Sequence, residues 1–199
     1  MEYLLIILRD ALTSNLALTS FLGMFCLLAA TGSMREARAM GLVLTLVMVI
    51  AVPLNALFEK YLLSPGALEW LGGRFASVDA GFLRWTLYAI VVLLVSRLVS
   101  LALQRFVPDL FAVVGKFMPY LAVSSAVLGV SLLSQQADYG IVEAFCSALG
   151  AGCGFFIVMT ALAAIRLRLK YSPLPEGLKG VGILLLTIGL MSLSFWILR

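Results

Sequence analysis

Three thiols, Cys26, Cys146 and Cys153, stand in a chain of 199 residues that contains no histidine. That count argues against a disulfide framework and against a zinc site built within one chain. Cys26 closes the stretch Asn15-Leu-Ala-Leu-Thr-Ser-Phe-Leu-Gly-Met-Phe-Cys26, which is apolar except for one amide, two hydroxyls, a glycine and the thiol. A second stretch of this kind runs from Met118 to Gly129 and holds the adjacent hydroxyls Ser124 and Ser125. Thiolates are soft ligands that suit iron. Amide and hydroxyl oxygens, with the carbonyls freed where a membrane helix breaks, are hard ligands that could bind sodium. Cys146 and Cys153 lie seven residues apart on one helix face, where buried thiols commonly pack as small hydrophobes. No glycine-rich nucleotide fingerprint is present.

The elements that must position these groups are apolar and long. Hydrophobic residues make up 63% of the chain and charged residues 12%, about half the charge of an ordinary soluble domain. Uncharged runs cover 11–34, 39–58, 117–137, 144–165 and 180–198, all near or above the roughly 18 residues needed to cross a bilayer. A sixth, 82–103, is interrupted by Arg84 near one end and Arg97 near the other. The expectation is an all-α integral membrane protein with six transmembrane helices and no separate soluble domain. The first span is read as too long, and too closely followed by others, for a cleaved leader. The net charge of +4 gathers in loops, so it reads as a topology signal and not as a nucleic-acid footprint.

Taken in order, residues 3–30 form one long or broken helix, and Arg35, Glu36 and Arg38 a short basic loop. The span 39–62 carries Pro53, which removes a backbone donor; Asn55 is placed to bond a freed carbonyl. The loop 63–80 is expected to lie along the membrane surface through Leu68, Trp70, Leu71 and Phe75. Span three, 82–103, has Arg97 close enough to its end to snorkel. Span four covers 110–134 with Pro119 near its start, and span five covers 139–168 with Gly150-Ala-Gly-Cys-Gly154. Such small residues let another helix backbone approach closely. Pro173 and Pro175 stop span five, and span six covers 180–198. Gly23, and Ser124-Ser125 with Pro119 nearby, predict broken helices in spans one and four, one in each half. The chain is therefore read as a single membrane domain, 1–199, made of two inverted three-helix repeats at about 3–103 and 109–198. The loops after spans one, three and five hold Arg35, Arg38, Arg105, Arg166, Arg168, Lys170 and Lys179 against Glu36, Asp109 and Glu176. Seven positive charges against three put those loops in the cytoplasm and both termini on the outer, periplasmic side.

Several short motifs then carry a resemblance. Phe21-Leu-Gly-Met24, Val52-Pro-Leu-Asn55, Ile165-Arg166, Lys170-Tyr-Ser172, Pro175-x-Gly-Leu-x-Gly180 and Thr187-x-Gly-Leu-Met-Ser192 fall in order along nearly the whole chain. The chain resembles the small six-helix membrane subunits shared by the sodium-translocating NADH:quinone oxidoreductase and the Rnf complex. The resemblance implies a multi-pass protein of the bacterial inner membrane that packs against a homologous inverted partner, D-like in the first of these complexes. It implies a [2Fe–2S] cluster shared with that partner and held by two thiolates from each chain, with flavins and NADH only in other subunits. The function so implied is electron transfer across the membrane within a redox-driven ion pump. The alternatives are a structural scaffold without a cluster and a stand-alone transporter.

The family thiol that follows Gly-Met falls on Phe25 here, and the thiol stands one place later at Cys26. The family Asn-Cys pair falls on Ser124-Ser125. By resemblance the metal and cofactor ligands are therefore Cys26 and, in the fourth span, Ser125. One residue is about 100° of helix rotation, so Cys26 reaches the partner only if the chain is over- or underwound around Gly23–Cys26.

Overall fold

In the computed structural model the described residues are 2–13, 15–63, 80–173, 175–178 and 180–197, and among them there is no strand. The loop expected along the membrane surface lies almost wholly in 64–79, outside them. Helix α1 (Glu2–Leu8) runs on into a π-helical turn at Arg9–Thr13, and two short helices follow, α2 (Leu16–Thr19) and α3 (Met24–Ala30). Then come α4 (Met34–Phe58), α5 (Arg84–Phe106), α6 (Pro108–Val114), α7 (Met118–Ala122), α8 (Ser125–Gln136), α9 (Ile141–Leu169) and α10 (Val181–Trp196).

Among the described residues three helices are long and apolar enough to cross a membrane: Met34–Leu63, Arg84–Phe106 and Ile141–Leu169. Two further candidates are bent pairs, 84° between Tyr3–Thr19 and Met24–Ala30, and 53° between Pro108–Ala122 and Ser125–Gln136. These are the breaks expected in spans one and four. The first span has an additional break, because Asn15 caps α2: its Oδ1 accepts from the Ala17 N–H at 3.2 Å. Its Nδ2 donates back across the break to the Ala11 carbonyl at 3.1 Å. Both ends of that amide are thus occupied in joining helix to helix.

The packing centre is the pair α4 and α9, which pack on each other more extensively than any other pair of described elements. Where Gly41 of α4 meets Phe156, a Cβ would come within 3.2 Å of the Phe156 Cα. The small-residue run in α9 does what its composition predicts. A Cβ on Gly150 would lie 2.6 Å from the Ile7 carbonyl oxygen, and one on Gly154 would lie 2.6 Å from that of Ala11. The first span therefore lies with its backbone directly on α9. Pro53 sits inside α4 without ending it. Asn55 does not bond a carbonyl freed by Pro53; its Nδ2 donates to Ser131 Oγ of α8 at 2.9 Å, tying the two halves.

Polar contacts sort by end of the bundle. At one end Glu36 of α4 pairs with Lys116, and Arg166 of α9 donates to Leu28 O (3.2 Å) and Thr31 Oγ1 (3.3 Å). At the other, Arg84 grips Glu59 through Nε (3.0 Å) and Nη2 (2.5 Å), and Tyr88 donates to the same carboxylate. Asp138, Tyr139 and Gly140 line a cavity of about 540 Å³ with that Glu59–Arg84 pair. Arg97 is exposed on α5.

Candidate functional site

The two breaks meet each other. At the first, Phe21 and Gly23 both take positive φ (52° and 73°), which turns the chain out of α2 and into α3. Glycine is required at position 23 twice over. It is in the left-handed region, and a Cβ would come 2.6 Å from Phe155 Cζ and 2.9 Å from Ala126 Cβ. At the second break, α7 ends at Ala122, and Ser124, extended at φ −73° and ψ 112°, leads into α8.

Three contacts join the breaks. The Gly23 N–H donates to Ser125 Oγ at 3.0 Å. The Cys26 thiol donates to the Tyr120 carbonyl at 3.6 Å. Leu22 packs on Gly129, where a Cβ would lie 2.4 Å from Leu22 Cδ1. The Ser124 hydroxyl is buried beside the Cys26 thiol. A fourth tie reaches in from α10, where Ser192 Oγ donates to the Leu18 carbonyl at 2.8 Å. That carbonyl lies close to the break at the end of α2, so Ser192 satisfies backbone that a continuous helix would have paired internally.

Orientation at the crossing decides what it can bind. Cys26 is 1% exposed and shares the buried side of α3 with Leu27 and Ala30. Phe25 is 76% exposed, and Val123 at the other break is 80% exposed. Phe21 and Tyr120 are also exposed, so the outward surface at the breaks is aromatic and aliphatic. A [2Fe–2S] centre wants four soft thiolates. Here the outward position carries a phenyl ring without a ligand atom. The thiol points into its own chain, and the Ser125 oxygen already accepts from Gly23. The residues present do not fit that group. Cys26 is turned into its own chain, and α3 is α-helical from Met24 to Ala30 after the left-handed cap at Gly23.

The other candidates are not drawn in. Cys146 is buried and Cys153 exposed on α9, and among the described residues no three Cys, Asp or Glu side chains form a metal-binding group. Missed from the sequence was the pairing of Asp10 with Ser147 Oγ (2.5 Å), which sets one carboxylate against α9. Its signal was present in the Arg9–Asp10 pair on an otherwise apolar helix.

The chain matches the family model described as Rnf-Nqr subunit, membrane protein, over residues 3–199. It is 39% identical over 195 residues to the E subunit of the Na(+)-translocating NADH-quinone reductase of Alcanivorax borkumensis, covering 98% of this chain and 95% of that one. The corresponding E protein of the Marinobacter nauticus reductase is 38% identical with the same coverage. That from Nitrosomonas europaea is 40% identical over 181 residues, 91% of this chain and 89% of its own.

Proposed function

The chain belongs to the Rnf-Nqr family of membrane subunits, and from that premise we propose that it serves as an E-type component of a redox-driven, sodium-translocating NADH:quinone reductase. The observation that carries this reading is end-to-end similarity: the match covers 98% of this chain and 95% of each of the two relatives. In this role the chain is a single membrane domain of two inverted three-helix repeats, with α10 as the sixth span. It lies in the bacterial inner membrane with both termini periplasmic and packs against an inverted homologous subunit. NADH and flavin sites belong to other subunits.

The paired breaks support the repeat. Each falls in the first span of its half, and the two meet, as half-helices of inverted repeats do near a bilayer midplane. The sorting of polar contacts supports alternation of the loops, since the loop after span one bonds to the start of span four and the end of span five.

The test is genetic and biochemical. A tag on this chain should recover NADH-oxidising subunits from detergent-solubilised membranes. Deletion should abolish NADH-driven sodium uptake into inverted vesicles, and a plasmid copy should restore it. Recovery of the chain alone, with sodium uptake unaffected by deletion, would sink the proposal.

A further inference from the structure

We infer that the crossing of the two breaks is a closed structural joint that donates no thiolate to an iron–sulfur cluster. The inference rests on the chain being part of the pump, where such a cluster would otherwise be shared with the partner.

Four observations carry it. The thiol that could serve is buried on the core side of α3 and donates to Tyr120 O within the chain. The hydroxyl that could serve is an acceptor for Gly23 N–H. The outward residue is Phe25, which offers the partner an apolar surface. The fourth is the obstacle to rearrangement. Bringing Cys26 outward needs a turn of about 100° in α3. That turn would carry the buried Leu27 and Ala30 off the core side and break the left-handed cap at Gly23, which is wedged between Phe155 and Ala126. A close-packed interior does not yield to such a rotation locally. The same contacts explain what the residues do in the absence of ligation: they satisfy backbone groups and fill space where two helices end inside an apolar layer. The chain's part in the pump is then to shape and support the membrane path, and the electron is carried by centres in other subunits.

The test uses the assembly that a tag on this chain recovers from membranes. Iron per tagged chain, and the electron paramagnetic resonance of the reduced sample, are compared among the native chain, C26S and the cysteine-free C26A/C146A/C153A. Equal iron and identical spectra in all three are expected. A loss of about two iron atoms per chain in either variant, the content of one [2Fe–2S] centre, would overturn the inference. The joint itself is read by maleimide labelling of Cys26 in a C146A/C153A background. Ser125→Ala leaves the Gly23 N–H unpaired and should speed labelling by ~2- to 12-fold, the shift expected for one lost hydrogen bond. Unchanged labelling would show that the bond does not hold the crossing closed. Co-recovery of NADH-oxidising subunits is scored separately, so a failure of the pump assignment is distinguishable from a failure of the joint.

Discussion

Ser125 Oγ accepts the backbone N–H of Gly23 at 3.0 Å, across 102 positions of sequence. The donor is an amide that the start of α3 leaves without a helical partner, and the acceptor is the first residue of α8. Each break thus meets part of the other's backbone demand in a place where water is scarce. Leu22 lying on Gly129 adds steric interlock to the same junction. The consequence is that the two halves are held together where the first span of each is broken.

Gly23→Ala should therefore be among the most damaging single changes. The methyl group meets the buried Phe155 ring at 2.6 Å, and the backbone stays in the left-handed region. The conformational penalty of about 1–2 kcal/mol and an overpacking penalty of about 1–3 kcal/mol should add to roughly 2–5 kcal/mol. A fall in the melting temperature of the purified protein checks it. Phe155→Leu in the same chain should recover the steric part and leave the conformational part.

Asn55 and Ser131 make a second tie between the halves, and their coupling is measurable. Ser131→Ala leaves the buried amide of Asn55 with neither end paired, because its Oδ1 already has no partner. Bonds of this kind in membranes average about 0.6 kcal/mol with a maximum near 1.7. A double-mutant cycle with N55A and S131A should return a coupling of about 0.6–1.7 kcal/mol. Strict additivity would show that the contact contributes nothing.

The glycines of α9 and α10 should respond in opposite ways. Gly154→Ala places a methyl 2.6 Å from the Ala11 backbone carbonyl, which cannot swing aside, so the π-helical turn at Arg9–Thr13 and α9 must separate. Gly189 of α10 has nothing within 4 Å of its Cβ position, so alanine there should be neutral or stabilising by up to about 1 kcal/mol. Melting temperatures of the two variants, measured side by side, check the contrast.

Much of this arrangement was legible in the residues because membrane helices declare themselves by length and breaks by polar interruptions. Gly23 and Ser124-Ser125 marked both breaks, and Gly150 to Gly154 marked a close backbone approach. What stayed hidden was choice of partner. Asn55 next to Pro53 suggested a local repair, yet the amide bonds across to α8, because helix neighbours follow from tertiary packing that periodicity does not encode. Asn15 carried a helix-start signal, an amide ahead of an apolar run, that would have placed the additional break. The inward turn of Cys26 depends on the left-handed Gly23 cap and on Phe155 behind it, a contact across more than 100 residues that no local pattern announces.

Topology gives the last prediction. The loops after the first, third and fifth spans carry seven basic against three acidic residues, and short loops rich in Lys and Arg stay in the cytoplasm. The contacts of Glu36 with Lys116, and of Arg166 with Thr31, gather those same segments at one end. Glu59 and Arg84 share the opposite end with Asp138 and Tyr139, so the loops that should be periplasmic are also brought together. On the proposed topology of six crossings from an outer start, the chain would end on the outer side. Alkaline phosphatase, which folds only outside, should be active when fused after Arg199, and a fluorescent protein that matures only in the cytoplasm should be dark there. Fusions truncated after Arg38 or after Lys170 should show the reverse pattern. Bright fluorescence at the Arg199 fusion would invert the orientation, and matching signals at Arg38 and Arg199 would remove a span.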